Sequence, residues 1–106
     1  MKRYEIRLAA LDPTTGAEMA KTRPVVIVSL DALNDRLATV VVCPLTTQLH
    51  PPWRSRLAVR VAGRDAEIAV DQIRTVGKSR LGARAGQLSA PKAGELRRLI
   101  TEMYGE

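Results

Sequence analysis

The punctuation of this sequence constrains it most. Short apolar runs are cut repeatedly by turn residues until one segment of helical period closes the chain. Tyr4, Ile6 and Leu8 alternate with Glu5, Arg7 and Ala9, the period of a half-buried strand. Asp12-Pro13-Thr14-Thr15-Gly16 marks a turn, and residues 14–21, lacking a clean period, form a loop. Residues 25–29 and 39–43 are rich in β-branched side chains and almost wholly apolar, which predicts two well-buried strands, the second ended by Pro44. Residues 31–34 suit one short helical turn. Residues 48–54 contain Pro51-Pro52 and make a loop. Leu57, Val59 and Val61 alternate with Ala58 and Arg60, Gly63-Arg64-Asp65 turns the chain, and residues 67–70 return as the second strand of a hairpin. Thr75-Val76 and residues 85–88 add shorter strands. Ala93, Leu96, Leu99, Ile100 and Met103 then follow helical spacing, with Ser89 to cap the start, Pro91 in the first turn and Gly105 at the stop. Five or more short strands and one amphipathic helix predict a mainly-β fold, a small barrel or sandwich with the helix packed on it.

At 106 residues the chain suits one domain, with no linker or repeat to divide it. An apolar content of 45% excludes disorder as its main state. No apolar run approaches the ~20 residues of a membrane span. The basic start Met1-Lys2-Arg3 has no apolar stretch after it, so a secretory signal is not expected and the cytoplasm is the expected location, away from any membrane. Cys43 is the single cysteine and sits in an apolar run. A buried core thiol is the favoured reading, since a nucleophile needs a nearby base or cation.

Charge narrows the partner. Lys and Arg total 17 against 11 Asp and Glu, a net +6. Residues 1–53 are almost balanced, whereas residues 54–106 carry eleven basic groups, mostly arginine, and six acidic ones. The planar arginine fork donates to phosphate in pairs, so a polyanion or an acidic protein segment fits, with solubilising charge as the plain alternative. The only aromatics are Tyr4, Trp53 and Tyr104, too few for a reader that stacks successive bases on several platforms.

Three segments draw attention as chemistry. Residues 16–24 form a polar loop feeding a buried strand, with Glu18 and Lys21 in it. Pro24 drives Arg23 toward extended geometry at the strand mouth, where a guanidinium is held accurately or simply makes a surface ion pair. Pro44-Leu45-Thr46-Thr47-Gln48 sets two hydroxyls and an amide after a buried strand, able to bind phosphate or base or, more economically, to cap their own turn. Residues 70–81 mix polar, basic and apolar residues and serve as a connector or as a source of cations for a groove. His50 is the only histidine, which excludes a two-histidine mechanism. With Cys43 alone, the usual His/Cys zinc site is unsupported. Acids are not clustered for a carboxylate magnesium site, and Gly77-Lys78-Ser79 lacks the rest of a phosphate-loop motif. No metal and no cofactor is expected.

In order, Leu11-Asp12-Pro13-Thr14-Thr15-Gly16-Ala17-Glu18, Arg23-Pro24-Val25-Val26-Ile27-Val28-Ser29, Val40-Val41-Val42-Cys43-Pro44-Leu45-Thr46-Thr47 and the stretch from Asp71 to Leu81 followed by Gly86-Gln87-Leu88-Ser89 resemble the MazF/PemK toxin family over nearly the whole chain. The resemblance implies an SH3-like barrel of five to seven short strands with a C-terminal helix, assembled as a homodimer. It implies sequence-selective, metal-independent cleavage of single-stranded RNA, and a cognate antitoxin whose acidic, disordered tail lies across the RNA groove. Family catalytic roles fall on Arg23 and Thr46, with Glu18 the candidate base. RNA contacts are expected at Lys21, Thr47, Gln48, Arg54, Arg56, Gln72, Arg74 and Lys78, with Thr75 also shaping the groove. The chain departs from the family in Tyr4-Glu5-Ile6-Arg7, where Arg7 replaces an aromatic residue, and in Ala20, where glycine is common. Two other functions share the fold: a non-catalytic RNA-binding barrel and a gyrase-blocking toxin.

Overall fold

The computed structural model describes residues 1–11 and 22–105. The turn and loop expected over residues 12–21 therefore lie outside the described residues. Among the described residues, seven strands run β1 (Glu5–Ala10), β2 (Thr22–Ile27), β3 (Thr39–Thr46), β4 (Arg56–Val61), β5 (Arg64–Ala69), β6 (Arg74–Gly77) and β7 (Leu81–Gln87). A short helix α1 (Asp31–Asn34) joins β2 to β3, and α2 (Ala90–Tyr104) ends the chain. All pairings are antiparallel, in the order β4-β5-β3-β2-β1-β7, with β6 also paired to β3. The sheet curls into an open barrel. β4 and β7 are its two ends and leave a seam between them.

Two apolar layers follow from the alternation of side chains on the central strands. Val26, Val28, Cys43 and Leu45 face one way and join Ile6, Val59, Ile68 and Val70 under Ala93 and Leu96 of α2. Val25, Ile27, Val40 and Val42 face the other way and join Ala9, Leu11 and Val76. Burial on both faces is why β2 and β3 are continuously apolar rather than alternating. The helix begins as its sequence predicts, with Ser89 Oγ accepting from Lys92 N at 3.3 Å and Pro91 in the first turn.

Three expectations need correction. β3 does not stop at Pro44 but runs on to Thr46. One edge of β3 pairs with β6 through Val42 and with β5 from Leu45. Pro44 falls in the gap between those partners, where a missing N–H costs that ladder nothing. The hairpin turn is Ala62-Gly63, not residues 63–65: Val61 pairs with Arg64, so β5 starts three residues earlier than expected. Both turn residues have positive φ, +52° at Ala62 and +77° at Gly63, the two-residue geometry that matches the twist of the strands. Finally, Leu8 is exposed while Glu5 and Ala9 are buried, because the sheet's second face is covered at β1 and the end of its first face is open.

Glu5 is the buried charge of β1. Arg7 Nε donates to its Oε1 at 2.5 Å and Arg84 Nε lies 3.3 Å from Oε2. Burial alone would raise its carboxyl; the Arg7 hydrogen bond and charge, with those of the N-terminus and Arg84, outweigh it and hold the group below its ordinary value. Asp71 behaves likewise, with burial opposed by hydrogen bonds from Arg56 and Ser55.

Two outcomes follow for stability. A carboxyl with a depressed folded pKa stabilises fully above its unfolded value and ceases to do so as pH falls through the folded one. Urea unfolding should therefore give a level free energy from pH 7 to about pH 5 and a decline below about pH 4, with a shallower decline in Glu5→Gln. Ala62 occupies the left-handed region at a cost of roughly 1–2 kcal/mol that glycine avoids, offset in part by about 0.4–1 kcal/mol of added unfolded-chain freedom. Ala62→Gly should leave the urea midpoint unchanged or raise it.

Candidate active site

The helix-side core is not covered along its whole length. On β1, β2 and β3 the row Ile6, Val26 and Cys43 is in register and buried. The next row, Leu8 paired with Pro24 and continuing toward Leu45, forms the floor of an open groove of about 470 Å³. Its walls are Val61, Ala62, Arg64 and Ala66 of the β4–β5 hairpin and Ala85 of β7, and Arg23, Thr46, Thr47 and Gln48 line it. The groove thus opens at the barrel seam.

Arg23 and Thr46 reach the groove from neighbouring strands. Val25 pairs with Pro44 and Val26 with Cys43, and Arg23 and Thr46 each lie two residues beyond the last pair of that ladder and line the same groove. Thr46 Oγ1 accepts from Gln48 N at 3.1 Å, so the turn is capped by its own threonine as one sequence reading expected. That bond uses an oxygen lone pair and leaves the hydroxyl proton to donate. Arg23 also lines a second hollow of about 230 Å³ with Leu11, Pro44, Gln72 and Arg74. It stands on the lip between the two.

The structure therefore brings Arg23, Thr46, Thr47 and Gln48 into one groove and Gln72 and Arg74 into the adjoining hollow. Glu18 and Lys21 lie outside the described residues. Arg54, Arg56 and Lys78 line neither space. Arg54 is exposed and pairs with Glu102 of α2 at 2.5 Å. Lys78 Nζ donates to the carbonyl of Asn34. Arg56 is almost wholly buried, 2.8 Å from Asp71 and 3.6 Å from Glu67, and its Nη1 has no hydrogen-bond partner among the described residues. Its guanidinium lies 4.9 Å from the Trp53 ring centre, and Trp53 stacks on His50 at 3.9 Å. Glu67 Oε1 accepts from His50 N at 2.9 Å. These contacts fix the loop that leaves Thr46, which places Arg56 in the frame of that loop.

Arg64 is the groove residue that pattern reading overlooked. Its signal was present: with the turn at Ala62-Gly63, Arg64, Ala66 and Ile68 share one strand face, so an arginine stands in core phase at the open end of the core. Among the described residues, none that lines the groove is Asp or Glu. Cys43 lies on the core side of the groove floor, wholly buried.

The architecture is that of the MazF toxins. The structure superposes on a MazE–MazF structure from Deinococcus radiodurans with a TM-score of 0.82 at 18% identity, covering 99% of this chain and 96% of that one. It superposes on the Mycobacterium tuberculosis toxin MazF-mt6 with a TM-score of 0.77 at 22% identity, covering 94% and 95%. In sequence it is 32% identical over 113 residues to the endoribonuclease MazF of Staphylococcus saprophyticus, covering 99% of this chain and 92% of that protein. The family described as PemK-like, MazF-like toxin of type II toxin–antitoxin systems matches residues 2–104, and the chain belongs to it.

Burial pushes the Cys43 thiol up to about 12, with the Asp71 charge adding to the shift. The thiolate is the reactive form. Native protein at pH 8 should therefore resist a chromogenic disulfide reagent over hours, while denatured protein releases one equivalent of chromophore at once.

Proposed function

We propose that this toxin is an endoribonuclease that cuts single-stranded RNA sequence-selectively and without a metal ion, by attack of the ribose 2′-hydroxyl on the adjacent phosphodiester. The observation that carries this reading is that Arg23 and Thr46 line one groove, in which no carboxylate stands among the described lining residues. The 2′ oxygen forms a bond to phosphorus, the bond to the 5′ oxygen of the next nucleotide breaks, and a 2′,3′-cyclic phosphate and a 5′-hydroxyl result. The proton leaves the 2′ oxygen for a base and another reaches the departing oxygen. Arg23 offers a fork to the non-bridging oxygens, whose charge grows as the phosphorane forms, so the contact strengthens in the transition state. A guanidinium has a reference pKa above ~12, which makes charge relief its first role and proton donation a lesser one. The Thr46 hydroxyl, oriented by Gln48 N, donates to the same phosphate. Glu18 remains the candidate base, and Lys21, Thr47, Gln48, Gln72 and Arg74 bind the flanking strand.

The staphylococcal relative's name supports the activity. A mycobacterial endoribonuclease whose structure includes its cognate antitoxin supports the regulation. We assign to this chain the same kind of partner, an antitoxin with an acidic segment that competes for the cationic groove, and a homodimeric state in the cytoplasm. Leu30, Leu33 and Leu37, each about half exposed on and beside α1, offer apolar surface for a second copy.

Purified protein incubated with a long RNA and a chelator should give defined fragments ending in cyclic phosphate. Arg23→Ala should lower the cleavage rate about 10²–10³-fold, the effect of removing one oxyanion donor, with an unchanged thermal melt. Intact RNA of retarded mobility would make the protein a binder, and an Arg23→Ala variant with full activity would remove that residue from the chemistry.

A further inference from the structure

We propose that Glu67 is a positioning residue for RNA cleavage: its buried carboxylate, balanced by Arg56, clamps the chain that leaves Thr46 and so sets where the Thr46 hydroxyl stands. The proposal rests on the RNA-cleaving reading of the groove. It assigns a role to a buried ion pair that lines neither hollow, and that therefore acts only through what it holds.

Register makes Glu67 the neighbour of Thr46. The two are direct partners in the β3–β5 ladder, so their side chains leave the sheet on one face. Thr46 is also the last residue of β3, where the ladder stops and the loop to β4 begins. Beyond that point the backbone stands wherever its next tie puts it. Glu67 supplies the tie, for its Oε1 accepts from His50 N at 2.9 Å. Between Thr46 and His50 lies Gln48, whose N donates to Thr46 Oγ1 at 3.1 Å. One residue of β5 thus holds both ends of this span, through the ladder at Thr46 and through its carboxylate at His50. The orientation of the Thr46 hydroxyl follows from where Gln48 N is held between them.

The geometry of the pair separates positioning from stability alone. The side chains of Arg56 and Glu67 are only 6% and 5% accessible. Arg56 stands diagonally from Glu67 across β4–β5, and its Nε donates to Asp71 Oδ1 at 2.8 Å. Its Nη1 lies 3.6 Å from Glu67 Oε1, too far for a hydrogen bond, and bonds no other described residue. A buried ion pair kept for stability alone would close that gap, because an unmade bond to a buried charge is unfavourable. Instead the same Oε1 is drawn to His50 N. The guanidinium supplies the countercharge, and the loop amide fixes the place. Through Asp71, whose neighbour Gln72 lines the second hollow, Arg56 also ties the clamp to that side of the site.

Two conservative variants divide charge from reach in the full chain. Glu67→Gln loses the charge but keeps an oxygen for His50 N. Glu67→Asp keeps the charge but draws the carboxylate back by one methylene. If the pair serves stability alone, Glu67→Gln is the worse change; if it positions the loop, Glu67→Asp is. A third variant, Arg56→Met with Glu67→Leu, replaces both charges together, which buried ion pairs commonly tolerate without loss of stability. Arg60→Gln is the control, a charge change in the exposed Arg60–Asp65 pair of the same hairpin. Each is measured for urea midpoint, for exchange of the His50 amide proton, for kcat and KM on a defined RNA, and for Kd of an uncleavable 2′-deoxy oligonucleotide.

Glu67→Asp and the double variant should free the His50 amide to exchange and lower kcat about ten- to a hundred-fold, the scale of misplacing a reacting group by up to about 1 Å. Their Kd should stay within about three-fold, since phosphate contacts carry most of the affinity. Glu67→Gln should keep the His50 amide protected and kcat within about three-fold of wild type, and Arg60→Gln should match wild type. In a Thr46→Val background, which lacks the hydroxyl, Glu67→Asp should lower kcat by less than about two-fold, because residues that act as one unit are not additive. Wild-type kcat in Glu67→Asp and in the double variant would overturn the proposal. So would a loss of kcat in Glu67→Asp that is equal with and without the Thr46 hydroxyl. A wild-type protein that cuts no RNA would overturn the nuclease reading instead. The clamp then rests on His50 exchange: protection in wild type and Glu67→Gln with release in Glu67→Asp keeps it, and equal exchange in all three overturns it.

Discussion

The architecture depends on the backbone ladder of β3. This strand pairs along one edge with β2 and along the other with β6 and then β5. Changing partners midway forces the β4–β5 hairpin away from β6, which curls the sheet and leaves β4 and β7 as unclosed ends. The same ladder fixes which side chains face which layer, since a slip by one residue would reverse every one of them. Val25 and Ile27 would exchange faces with Val26, and Arg23 would turn away from Thr46. The place of Arg23 and Thr46 beside one groove is therefore a consequence of the register that buries the core.

The loop after Thr46 shows how a polar segment is held without regular structure. Glu67, across β5 from Thr46, accepts from His50 N; Arg56 joins Glu67 to Asp71; Trp53 lies between His50 and the Arg56 guanidinium in contact distance of both. Burying these charges is unfavourable in itself, and an incomplete set is worse than none. Their value lies in geometry. A loop anchored at both ends presents Thr47 and Gln48 in one arrangement, which lowers the entropy a bound ligand must overcome. The other walls of the groove are irregular in their own ways: Ala85 stands at the register shift of β7, and Ala62 is a left-handed residue of the β4–β5 turn.

Much of this was legible in the sequence, and for stated reasons. Continuous β-branched runs marked β2 and β3, strict alternation marked β4, and helical spacing with Ser89 and Pro91 marked α2, because these patterns are set by burial and by local backbone geometry. Residues 31–34 formed their one helical turn. Arg23 and Thr46–Gln48 stood out because an arginine before proline and hydroxyls after a buried strand are unusual company. Arg56 was assigned to RNA with the other arginines. Nothing in its local sequence announces that Glu67 and Asp71, 11 and 15 residues on, enclose it. Arg64 was hidden because residues 63–65 were read as the turn, which left it off the strand whose inner face it begins.

The sequence by itself determined the strands and helix, the double burial of β2 and β3, the inert position of Cys43 and the cationic excess of the second half. These depend on neighbours a few residues apart, or on composition. Tertiary structure alone decided which arginines face the groove, that β3 continues past Pro44, and where the barrel stays open. Each of those is set by partners distant in the chain, through strand pairing and the enclosure of charge, and short-range periodicity carries no record of a partner strand.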